Sequence, residues 1–137
     1  MQIAGFTFTI GELEGYRFIE SVFPPVFDQK RLWAAASSYP TLWDETKTTV
    51  TLNDVTAMGD LDAEAHKVLR WVLQQNMIRA RLLATSWVVG DNERAREQIR
   101  EVLVEVGRPA DNLFATREDA LAFLRERILE FEASGQK

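Results

Sequence analysis

Histidine occurs once in this chain and cysteine not at all, and those two counts bound the chemistry it can perform. Without thiols there is no disulfide framework, thiolate metal site or cysteine nucleophile; the chain fits a reducing compartment, and a cytoplasmic location is expected. His66 has Asp62, Ala63, Leu69 and Arg70 at helical spacing. None of these completes a zinc-protease helix, so His66 reads as a structural or solvent-facing side chain. An acid or base role would need a partner from elsewhere in the fold. Ser86, in the run ATSWV, lacks the two glycines of a nucleophile elbow and reads as a strand residue. Gly90 precedes a helix without the glycine spacing or the lysine of a phosphate loop.

Asp54, Asp60 and Asp62 are the one acidic set near a strand end, where three carboxylates could hold a hard cation such as magnesium. Each also has an ordinary use. Asp54 ends a strand, Asp60 caps a helix and Asp62 favours its first turn, each contributing about 0.3–1 kcal/mol. We therefore expect no metal and no cofactor, and carry an enzyme acting through Asp54 or His66 only as an alternative. Trp33, Trp43, Trp71 and Trp87 are many tryptophans for 137 residues. Trp71 falls beside its helix's apolar stripe and Trp43 in a loop. Both are candidates, with Phe27 and Trp33, for an interface or a pocket wall.

The elements that must position these residues follow from periodicity. A chain of 137 residues is the size of one domain and buries roughly 70% of the surface its unfolded form exposes. Phe6 to Ile10 alternates apolar with polar, Gly11 to Gly15 offers a turn, and Tyr16 to Phe23 resumes a strand, which together read as a hairpin. Pro24 and Pro25 end it. A helix over Val26 to Ser38 buries Phe27, Leu32, Ala35, Ala36 and Tyr39 and closes at Pro40. Thr48 to Leu52 is a β-branched strand, and Leu61, Ala65, Val68, Leu69 and Val72 trace a helix from Asp60. Arg81 to Val89, almost continuously apolar, reads as a central strand. Asn92 caps the helix carrying Ala95, Ile99, Val102 and Leu103; after a short strand at Leu113 to Ala115, Thr116 and Asp119 start the last helix.

The expected fold is thus an α/β single-domain sandwich, a mixed, mostly parallel sheet in the order β-β-α-β-α-β-α-β-α, with one domain over 1–132 and a frayed tail over 133–137. The formal charge of −5 disfavours nucleic acid as a partner. Arg79 and Arg81 add to an arginine group at 94, 96 and 100, but Glu93, Glu97, Glu101 and Glu105 interleave with the latter as a salt-bridged helix face. The amino terminus lacks a signal-peptide pattern and no apolar run approaches about 20 residues, so membrane insertion is not expected.

In element order and local pattern the chain resembles the STAS (sulfate transporter and anti-sigma-factor antagonist) family, and within it the small bacterial STAS-like proteins. TVTLND at 49–54 is similar to that family's strand leading into its signalling loop, and Asp60 to Val72 to the following helix. Arg81 to Gly90 and Leu113 to Leu124 are similar to its closing elements. The resemblance implies a non-enzymatic regulatory or protein-interaction module, working through a partner or homo-oligomer at a loop carrying Asp54, Thr56, Asp60 and Asp62. Family members place a phosphoacceptor serine after an aspartate at this helix start. Here the pair is Asp60-Leu61, and leucine accepts no phosphate; Thr56, in the same loop, is the substitute, though an ordinary turn hydrogen bond also accounts for it. The alternative reading is a binder of a small apolar ligand or lipid, held between the sheet and the first helix with Phe23, Phe27 and Trp33.

Overall fold

The computed structural model describes residues 1–38, 46–78 and 81–135; Tyr39, Pro40, Trp43 and Arg79, named above, lie outside the described residues. Among the described residues one sheet of six strands carries four helices. In chain order these are β1 (Gln2–Ile3), β2 (Phe6–Leu13), β3 (Tyr16–Val22), α1 (Gln29–Ser37), β4 (Thr49–Asp54), α2 (Ala63–Ile78), β5 (Leu82–Val88), α3 (Glu93–Glu105), β6 (Leu113–Phe114) and α4 (Arg117–Ala133). This is the expected mixed α/β fold with one addition, the two-residue β1 ahead of the hairpin.

The strands lie side by side in sequence order. β1, β2 and β3 are antiparallel neighbours, while β3, β4, β5 and β6 run parallel. Right-handed crossovers between strands that always step in one direction must leave every crossover helix on the same face. Accordingly α1, α2 and α3 share a core with Phe6, Phe23 and Trp87. The opposite face, with Phe18, Val50, Leu52 and Val88, is covered by Ala120, Leu124 and Ile128 of α4. β5 sits between β4 and β6 and its last four residues are buried, as its apolar run predicts. A bulge between Thr49 and Val50 shifts its register with β4.

Three expectations are corrected by local chemistry. The hairpin turn is not Gly11 to Gly15 but the two residues Glu14 and Gly15, with φ of 51° and 86°. Such a turn matches the strand twist, so Gly11 stays in β2 opposite Phe18. The first helix begins at Gln29 rather than Val26, because Asp28 accepts a hydrogen bond from Arg31 N (2.9 Å) and acts as its cap. Asp60 does not cap α2. Asp62 does, accepting from Ala65 N (2.8 Å), while Gln98 Oε1 takes the N–H of Leu61 (2.6 Å). Asn92 and Thr116 cap α3 and α4 as expected.

Candidate functional site

The loop from Asp54 to Asp62 leaves the carboxyl end of β4, where α/β folds commonly bind ligands. Its backbone is tied down from several sides. Asn92 Nδ2 donates to the carbonyls of Thr56 (3.0 Å) and Met58 (2.9 Å), Gln98 Nε2 donates to that of Gly59 (3.2 Å), and Gly59 N donates to that of Pro25 (2.9 Å). Gly90 has φ of 60°, and a Cβ there would stand 3.1 Å from Thr56 Cγ2, so glycine is what lets the next turn approach this loop. The side chains are engaged within the protein too. Asp54 Oδ1 accepts from both N (2.9 Å) and Oγ1 (2.7 Å) of Thr56, the turn bond anticipated for that threonine. Asp60 accepts from Arg94 Nε (2.9 Å), whose pKa is raised chiefly by that hydrogen bond. Asp54, Asp60 and Asp62 thus serve as a turn acceptor, an ion-pair partner and a cap.

His66 does meet a partner from elsewhere. Its Nε2 lies 3.1 Å from Glu105 Oε2, an oxygen that also accepts from Arg70 Nη1 (3.1 Å). The His66 hydrogen bond is the main cause of the lowered Glu105 pKa. Glu101 completes a His-Glu-Glu group with ligand atoms within 4.8 Å of one another. Arg70 already neutralises one of the two carboxylates, Glu105, that such a group would offer a cation. Ser86 is fully buried in β5 and cannot present a nucleophile.

The tryptophans separate. Trp33 of α1 and Trp71 of α2 pack against each other with ring centroids 4.9 Å apart and planes tilted by 45°, 48% and 44% exposed. Phe27 is half-buried against Phe6 (5.1 Å) and Phe23 (6.0 Å). Trp43 lies outside the described residues.

A cavity of about 50 Å³ lies between the sheet and the pair α1 and α2. Its helix side is apolar, from Leu32, Ala35, Ala36, Leu69, Val72 and Leu73; Phe6, Phe8, Phe23, Leu82 and Trp87 add apolar walls. Phe23 belongs to it as anticipated, but Phe27 and Trp33 are absent from its lining. The sheet side is polar: Ser21 Oγ donates to Asn53 Oδ1 (2.6 Å), Asn53 Nδ2 to Thr85 Oγ1 (3.3 Å), and Thr51 Oγ1 to Thr85 Oγ1 (2.6 Å). This row crosses β3, β4 and β5 through in-register neighbours, Ser21 opposite Asn53 and Thr51 opposite Thr85.

Arg108, just after α3, also lines the cavity; burial alone lowers its pKa. Thr85 and Arg108 line a second groove as well, of about 340 Å³, with Asp111, Asn112, Phe123 and Arg127. The sequence placed a pocket between the sheet and the first helix, but its polar floor and Arg108 were not anticipated. The floor's signal was a set of small polar residues at same-face positions of adjacent strands; Arg108, between Gly107 and Pro109, carried no signal at all.

No protein-family model matches the chain, and no curated protein matches it. Among the described residues no helix is long and apolar enough to cross a membrane.

Proposed function

We propose that this chain is a non-enzymatic, STAS-like module that binds a small, largely apolar molecule in the cavity between the sheet and the helices α1 and α2. The observation that carries the reading is the cavity itself: apolar on its helix side, with a few convergent polar groups on its sheet side. That is the usual composition of a small-molecule site. At 10–15 Å³ per water-sized body, about 50 Å³ admits roughly three to five such bodies, which sets the scale of the ligand well below a long acyl chain. The STAS-like reading rests on element order and on the loop and helix that follow β4.

Native mass spectrometry of protein recovered from its host tests the proposal. A co-purified small molecule that disappears in Ala35→Leu, which adds bulk at the cavity wall, is the expected result. A molecule retained equally by that variant, or a chain that carries none and is stabilised by no small apolar compound, would overturn it. A second reading, a protein partner docking on the loop from Asp54 to Asp62, is favoured by the hydrogen bonds from Asn92 and Gln98, since a pre-ordered loop loses little entropy on docking. Mass spectra of the same preparation report such a partner as added protein mass, and substitution of the exposed Thr56 would then release it.

A further inference from the structure

Arg108 stands apart among the described arginines, of which Arg17 is also half-buried but has an interaction of its own. Arg70, Arg94, Arg96, Arg117, Arg125 and Arg127 each lie against a carboxylate. Arg31, Arg81 and Arg100 are exposed. Arg108 is half-buried, and its guanidinium has neither an ion pair nor a hydrogen-bond acceptor among the described residues. Asp111 lines the outer groove with it but does not pair with it. In a chain with 21 acidic residues against 16 basic ones, a partly desolvated cation without a carboxylate is a cost that a bound anion would relieve.

Its position says where that anion would sit. Arg108 and Thr85 line both the inner cavity and the outer groove, so a cation stands between the two spaces. Inward of that junction the helix side is apolar, with room for a body of about three to five heavy atoms. We infer that the ligand of this cavity is a short-chain monocarboxylate, its apolar body against α1 and α2 and its carboxylate on Arg108. The guanidinium fork suits a carboxylate, which accepts two parallel hydrogen bonds from it. This inference rests on the cavity being a ligand site, and its test separates the two claims.

The probes are hexanoate and its neutral counterpart hexan-1-ol, added to the full ¹⁵N-labelled chain. The readout is the indole N–H resonance of Trp87, a wall residue, assigned with Trp87→Phe. Hexanoate should shift that resonance saturably and bind at least about tenfold more tightly than hexan-1-ol; Arg108→Gln should remove that advantage and Arg108→Lys keep part of it. Added salt should weaken hexanoate and leave hexan-1-ol unchanged, a measurement that needs no variant. Equal binding of both probes, with no effect of Arg108→Gln or of salt, overturns the anion and leaves the cavity as a ligand site. No effect of either probe on Trp87 overturns both.

Discussion

Replacing Asn92 by alanine should damage two elements at once, because one side chain caps α3 and holds the loop after β4. Its Oδ1 accepts from Ala95 N at 3.1 Å, while Nδ2 donates to Met58 O at 2.9 Å and to Thr56 O at 3.0 Å. Losing the cap costs about 1 kcal/mol. The part-buried bond to Met58 contributes about 1 kcal/mol and the exposed bond to Thr56 about 0.5 kcal/mol. The sum is about 2.5 kcal/mol, or roughly 10 °C in Tm for a domain of this size. Asn92→Asp separates the contributions. Aspartate keeps the cap and gains from the helix dipole, but it turns a carboxylate toward two carbonyl oxygens. It should therefore lie between wild type and Asn92→Ala in a urea titration with unchanged m-value, and in both variants the amide of Gly59 should exchange faster. A cost below about 0.5 kcal/mol for Asn92→Ala, or an Asn92→Asp protein as stable as wild type, would refute the idea that this side chain fixes the loop.

Three further outcomes follow from the packing and the charges. Leu124→Ala, on the fully buried face of α4, should lower stability by about 2–5 kcal/mol in the same titration. Thr85→Val keeps the shape of the side chain but strands the hydrogens donated by Thr51 and Asn53. It should cost about 1–3 kcal/mol, against near neutrality had the row been unimportant. His66→Ala should raise the pKa of Glu105 toward its ordinary value, read from the carboxyl carbon by NMR. Because the folded pKa of Glu105 is lowered, its contribution to stability is full above the unfolded carboxylate pKa of about 4.3 and is lost as pH falls through the folded value; His66→Ala should shrink that acid-side loss.

The elements that were legible in the sequence are those decided within a few residues. Asn92 and Thr116 announce their helices because a cap bonds to an amide three positions ahead, and β5 announces itself because both its faces are covered. Asp60 was misassigned because Asp60 and Asp62 offer equivalent caps locally. The choice is made by Gln98, which takes the N–H of Leu61 from 37 residues away, and by Arg94, which takes Asp60. His66 could not be paired with Glu105 from sequence for the same reason, since they lie 39 residues apart. The loop carrying Asp54 and Thr56 was readable as a place, but its internal hydrogen bonds were not. The composition of the cavity was the least visible feature, since its wall draws on four neighbouring strands, two helices and the segments carrying Phe23 and Arg108.

The contrast between the two faces of the sheet bears on what the cavity is for. Under α4 the buried strand positions include Phe18, Val50, Leu52 and Val88; the polar residues beside them are Ser86 and, toward the rim, Glu20, which is ion-paired to Arg117 of α4. Under α1 and α2 the same strands present Ser21, Thr51, Asn53 and Thr85. Valine at the threonine positions would fit a strand as well and would need no hydrogen bond, so packing alone does not call for this row. The row answers its own polarity with three internal hydrogen bonds, which removes most of the cost of burying it without any ligand. It therefore fixes the shape and polarity of the cavity floor. Among the described residues Arg108 has no such internal answer, and the proposed anion rests on it: a satisfied floor needs no ligand, whereas a half-buried cation without an acceptor is the group that a bound carboxylate would relieve.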